Sequence, residues 1–157
     1  MTLEQLTELS EDPKKFLNRC KHYEQRIKIK QNQIQHYRDM EYSITAAIKD
    51  VPSFGGAVTS KIENCSISIM TIEEDIQKEI EAIKKERLLV QEAISLVDDE
   101  DLRRVLEARY VNEMKWEEIA VTLFYSYRWT LRLHGRALKS ISQKAKEATL
   151  VAANPTI

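Results

Sequence analysis

Glycine and proline are scarce, at three residues each in 157. So few turn formers disfavour the many tight reversals of a sheet protein. Cysteine is limited to Cys20 and Cys65. With no CxxC pair and no Cys/His cluster at zinc spacing, no metal site is expected. His22, His36 and His134 are isolated and read as packing or surface residues. No apolar run approaches the roughly 18 residues that span a bilayer. The opening Met1-Thr-Leu-Glu-Gln lacks the basic and apolar segments of a secretory signal. Together these absences lead to the expectation of a soluble, cytoplasmic protein with reduced thiols and no membrane contact. No nucleophile–base pair or carboxylate dyad stands out, and Gly55-Gly56 reads as an isolated turn rather than a phosphate loop. Neither enzymatic activity nor a cofactor is expected.

What is present is charge and helix-forming residues. Asp, Glu, Lys and Arg make up 31% of the chain, yet the net charge is only −1. The fold class expected is all-α. Leu3, Leu6 and Leu9 mark a minor helix or arm. Asp12-Pro13 is an N-cap followed by proline at the first helical position. Helix-compatible sequence then runs to about Lys49, breaks over Asp50–Gly56, and resumes from about Val58 to Val97. Asp98-Asp99-Glu100 caps a further helix with acids at its positive end.

The two long stretches carry apolar residues at alternating steps of four and three. The first seam contains Phe16, Cys20, Tyr23, Ile27, Ile34, Tyr37, Ile44 and Ile48. The second contains Val58, Ile62, Cys65, Ile69, Ile72, Ile76, Ile83, Val90 and Ala93. One break between them predicts a long antiparallel helical hairpin. A common register pairs Val51 with Val58, Ile44 with Cys65, Ile34 with Ile76, Cys20 with Val90 and Phe16 with Ala93. The same register sets Lys30 opposite Glu79, so two polar interruptions of the seams meet as a pair that can fix alignment. Cys20 and Cys65 then act as small apolar residues. Such a rod has a thin core, which leaves open whether the seam is satisfied within one chain or extended into a homodimer.

From Asp101 to Ile141 the sequence reads as three helices with short breaks. The first buries Leu102, Val105, Leu106 and Tyr110. The second buries Trp116, Ile119, Ala120 and Leu123. Ser126 caps the third, which buries Thr130, Leu133, Ala137, Leu138 and Ile141 at steps of three and four. Between Ser126 and Lys146 there are six Lys/Arg and no Asp or Glu. Arg128, Arg132 and Arg136 lie four apart and form one stripe. A basic, acid-free helix after a helix and a turn fits the DNA major groove, its early residues at base edges and its later ones at phosphates. Trp129 is either partly buried or an aromatic that reaches outward.

This segment resembles region 4 of the sigma-70 family. The matching residues are Leu106-Glu-Ala-Arg-Tyr110, Trp116-Glu-Glu-Ile-Ala120, Tyr125-Ser126 and Arg132-Leu-His-Gly-Arg-Ala-Leu-Lys139. The whole chain is similar in layout to small phage and prophage transcriptional regulators of Gram-positive bacteria, of the RinA and ArpU type. The specific part of the resemblance covers about residues 98–146. It implies DNA contacts at Tyr127, Arg128, Trp129 and Arg132 beside the cap Ser126, with Arg136 and Lys139 near phosphate. It also implies contact with bacterial RNA polymerase. Two positions depart from the pattern. Phe124 stands where the turn often holds Gly, Asn or Asp, so the turn is expected to differ locally. Lys115 replaces the usual Ser/Thr cap.

The expected organisation is an N-terminal arm and coiled-coil-like hairpin over 1–97, a sigma region 4-like helix-turn-helix domain over 98–147, and a flexible tail over 148–157. The expected function is a sequence-specific, double-stranded DNA-binding transcriptional regulator. The alternative is a protein-interaction module that docks on RNA polymerase or a host factor without DNA. Charge favours the first: between Arg103 and Glu147 ten Lys/Arg stand against five Glu, while the rest of the chain is net acidic.

Overall fold

The computed structural model describes residues 1–48 and 56–154. It is all-helical, with no strand among these residues. The elements are α1 (Leu3–Glu11), α2 (Pro13–Leu17), α3 (Tyr23–Ile48), α4 (Gly56–Ser95), α5 (Glu100–Leu106), α6 (Trp116–Thr122) and α7 (Tyr127–Ala153). A 3₁₀ turn, Asn18–Cys20, follows α2, and a π turn, Glu107–Val111, follows α5. The break expected over Asp50–Gly56 lies, except for Gly56, outside the described residues, as does the Val51–Val58 pairing.

Local signals set most helix ends. Asp12 accepts from the Lys15 N–H at 3.0 Å, with Pro13 at the first helical position. Asp99 accepts from the N–H groups of Asp101 and Leu102, and Glu100 and Asp101 follow at the positive end of α5. The first long stretch is not one helix. It stops at the 3₁₀ turn and restarts at Tyr23.

The chain forms two compact units, and they do not follow the expected boundaries. One joins residues 1–21 to 84–157, and the other is residues 22–83. In the first, Leu9, Phe16, Leu17 and Cys20 share a core with Val90, Ala93, Ile94 and Val97, with Leu102, Val105, Leu106 and Tyr110, and with Leu133, Ala137, Ile141 and Ala145. The N-terminal arm is therefore built into the C-terminal unit. α1 packs on α7, and its buried residues are Leu6 and Leu9. Ser142 Oγ donates to the Ser10 carbonyl at 2.6 Å, and the Met1 amine meets Glu92 at 2.8 Å. Arg19 lies over the Phe16 ring and pairs with Glu8 and Glu86. The tail expected from residue 148 is helical through Ala153.

In the second unit, α3 and the first part of α4 run antiparallel. Arg26 meets Glu79 at 2.8 Å, Lys30 meets Asp75 at 3.3 Å and Glu79 at 3.7 Å, and Arg38 meets Glu73 at 3.3 Å. Further along, Cys65 Sγ lies 3.7 Å from Met40 Sδ and Ser66 Oγ donates to Glu41 at 3.3 Å. The expected Lys30–Glu79 pair is present. Both cysteines are free and buried. The seam itself is only partly covered. Ile34, Cys65, Ile76 and Ile83 are buried, whereas Ile27, Ile44, Ile62, Ile69 and Ile72 are half-buried.

Candidate functional site

The sequence candidates lie on α6, α7 and the turn between them. Ile119 and Ala120 are the buried residues of α6. Ala120 carries the connection too: its carbonyl accepts from the Tyr125 N–H at 2.9 Å. The Phe124 N–H donates to Val121 at 3.2 Å. Phe124 adopts the left-handed conformation, φ 58°, that its side chain disfavours. The expected local departure of the turn does not occur: a phenylalanine takes the conformation in which glycine is usual. Its ring is 94% exposed, so burial gives nothing in return. At the start of α6, Lys115 has no acceptor atom, and only half a capping box forms, from the Lys115 N–H to Glu118 Oε2 at 2.8 Å.

α7 begins as expected. Ser126 Oγ accepts from the Trp129 N–H at 3.2 Å. The fully buried Thr130 donates its hydroxyl to the Ser126 carbonyl at 3.0 Å. Thr130, Leu133, Ala137, Ile141 and Ala145 form the inward face, and Leu138 is only half-buried beside it. At 100° per residue the opposite face is centred on Arg128, Arg132, Gly135 and Lys139, with Arg136 and Trp129 flanking it on one side. Ser126, Tyr127, Arg128, Trp129, Arg132, Arg136 and Lys139 are all exposed, Tyr127 by 44% and Trp129 by 40%. None of the four cations Arg128, Arg132, Arg136 and Lys139 forms an ion pair among the described residues. Lys144, counted with the basic residues in the sequence, is different. Its ammonium lies 2.6 Å from Asp98, and that hydrogen bond raises the lysine and lowers the carboxyl.

Sequence reasoning missed what stands behind α7. His134 Nε2 and the Tyr110 hydroxyl are 2.8 Å apart. The edge of Trp116 meets the His134 ring at 4.6 Å between centroids, and the Arg109 guanidinium lies 4.6 Å from the Trp116 ring. Arg109 also donates to the Met114 carbonyl at 2.8 Å, which ties the π turn to the loop before α6. Burial, with Lys14 and Arg109 nearby, lowers His134 to about 4, and burial raises Tyr110 to about 12. The histidine is therefore neutral near pH 7 and joins the π turn to α7. No local pattern signals the group, because its members come from three separate segments. In the turn, the Tyr125 phenol is raised, chiefly by Asp101 of α5.

Among the described residues no helix is long and apolar enough to cross a membrane, and no His/Cys/Asp/Glu group has metal-binding geometry. No curated protein and no solved structure matches the chain. The model of the family described as "Protein of unknown function (DUF1492)" matches residues 43–142. The matched span takes in α4, α5, α6 and the outward stripe of α7, and leaves out α1 and α2. It covers well over half of the sequence, and the chain belongs to the DUF1492 family.

Proposed function

We propose that this chain is a sequence-specific DNA-binding transcriptional regulator in which α6, the turn and α7 form a helix-turn-helix of the sigma region 4 kind. The observation that carries the reading is the outward face of α7: Arg128, Arg132, Arg136 and Lys139 are exposed, form no ion pair among the described residues, and stand in a stretch, 126–146, without Asp or Glu, directly opposite a buried face. Unpaired cations on one face of a rigid helix suit a polyanion, because each phosphate they neutralise releases condensed counterions. Tyr127, Arg128, Trp129 and Arg132, in the first two turns, are the residues that reach base edges, and Arg136 and Lys139 hold phosphate. The Ser126 cap and the Tyr110–His134–Trp116 group fix the aim of the helix. The resemblance to phage late-gene regulators supports bacterial RNA polymerase as a second partner. The half-buried isoleucines of residues 22–83 suit a second copy of the chain.

The test is fluorescence anisotropy of the full chain on mixed-sequence duplex DNA across a salt series. Removing the C-terminal part is not a clean control, since α7 supplies the core that α1 covers. A triple Arg128→Ala, Arg132→Ala, Arg136→Ala variant keeps that core. The full chain is expected to bind with a log–log salt slope of about −2, as the phosphate contacts of Arg136 and Lys139 give, and the variant to lose most of its affinity. No binding at low salt would overturn the reading. One observation favours the alternative of protein docking: Phe124 and Val121 are 94% and 76% exposed on the α6 side. Retained DNA binding in a Val121→Ser, Phe124→Ser variant would show that this surface is not part of the DNA contact.

A further inference from the structure

Gly135 is the anomaly on α7. It lies in the interior of a 27-residue helix, with no left-handed φ to justify it. After proline, glycine is the residue least suited to a helix interior. Close packing inside the protein does not explain it either. A Cβ built at Gly135 would meet no atom within 4 Å beyond the local helix backbone. The fold gains nothing from the missing side chain and is weakened by it.

The position of the gap gives it meaning. Arg128, Arg132, Gly135 and Lys139 follow one another at steps of four, three and four, so they form a single straight stripe. Gly135 interrupts that stripe with bare backbone, about 12 Å along the axis from Tyr127. Arg132 and Lys139 stand exposed on either side of it, and neither is ion-paired among the described residues.

We infer that Gly135 is the point of closest approach between α7 and DNA, where the sugar-phosphate backbone packs on the helix main chain between Arg132 and Lys139. The inference rests on the DNA-binding reading and adds a position to it that carries no charge. A straight helix entering the major groove by its first turns leaves it further along, where the flanking phosphate strand lies close. A side chain at that crossing would hold the strand away, pulling Lys139 out of reach of its phosphate and Arg132 out of reach of the base edges. Glycine is the one residue that lets the two backbones meet.

The test sets stability against binding in the full chain. Gly135→Ala is expected to raise the thermal midpoint by about 2 °C, as exposed glycine-to-alanine changes inside helices do. The same variant is expected to bind duplex DNA at least five-fold more weakly, and Gly135→Leu more weakly still. A purely structural glycine would move stability and binding in the same direction. Affinity in both variants equal to that of the natural chain overturns the inference, as does a lower thermal midpoint in Gly135→Ala. Failure of the natural chain to bind DNA at low salt is read before either variant is made, and it overturns the DNA reading and this inference together.

Discussion

The hydroxyl of Tyr110 and Nε2 of His134 lie 2.8 Å apart across the π turn and α7. The pair joins α7 to the π turn without a charge, because burial holds His134 down to about 4 from an ordinary value of 6.5. Between those values the unfolded chain takes up a proton that the folded chain refuses. Stability is therefore complete above about pH 6.5 and falls as the pH drops towards 4. His134→Gln keeps an acceptor for Tyr110 but does not titrate. Thermal midpoints from pH 8 to 4 should fall more steeply for the natural chain than for this variant. Parallel curves would mean that His134 is protonated in the folded protein.

Lys30 and Glu79 meet where both seams are interrupted, and Arg26 completes the contact. Glu79 is buried, and its Oε2 has no hydrogen-bond partner. A buried carboxylate with incomplete partners does not repay its desolvation fully. Replacing it by a residue of similar bulk, Glu79→Leu, should leave stability unchanged or raise it. Removing the cation instead, Lys30→Met, should destabilise by about 1–3 kcal/mol, since the carboxylate stays buried with less compensation. Urea denaturation of the two variants checks the asymmetry. Equal losses would mean that the pair itself contributes net stability.

These contacts also show which parts of the structure the sequence carries openly. The caps at Asp12, Asp99 and Ser126 are short-range chemistry, and they stand where local composition puts them. Lys30–Glu79 was legible because a heptad pattern fixes register across a reversal. The docking of α1 on α7 was not, since it joins residues more than a hundred positions apart, as in the Ser142–Ser10 hydrogen bond. The same holds for His134 and Tyr110, and for Lys144, whose pairing with Asp98 withdraws it from the basic face. Exposure of the α7 cations follows from helical periodicity alone. Their freedom from acidic partners follows only from the three-dimensional arrangement.

Phe124 takes a left-handed conformation with its ring in solvent. Such a backbone costs a residue with a Cβ roughly 1–2 kcal/mol. Phe124→Gly removes that strain and loses almost no buried surface, although glycine adds entropy to the unfolded chain. A net gain of about 0.5–1 kcal/mol is expected. A loss of stability in chemical denaturation would show that the ring contributes to the folded turn despite its exposure.

Arg132 and Lys139 lie on the same stripe, seven residues apart, yet their expected roles differ. Arg132 belongs to the second turn of α7, within reach of base edges, where a guanidinium can pair with guanine through two hydrogen bonds. Lys139 lies about 10 Å further along the axis, where a single flexible charge serves a phosphate. Arg132→Ala should therefore reduce affinity for the preferred site by about 1–3 kcal/mol and flatten the preference for base pairs there. Lys139→Ala should weaken binding to all sequences alike and make the log–log salt slope shallower by about 1. Selection from a random duplex pool followed by salt titration on the selected site measures both. If the two substitutions give the same pattern of loss, α7 contributes charge to the complex but does not read sequence.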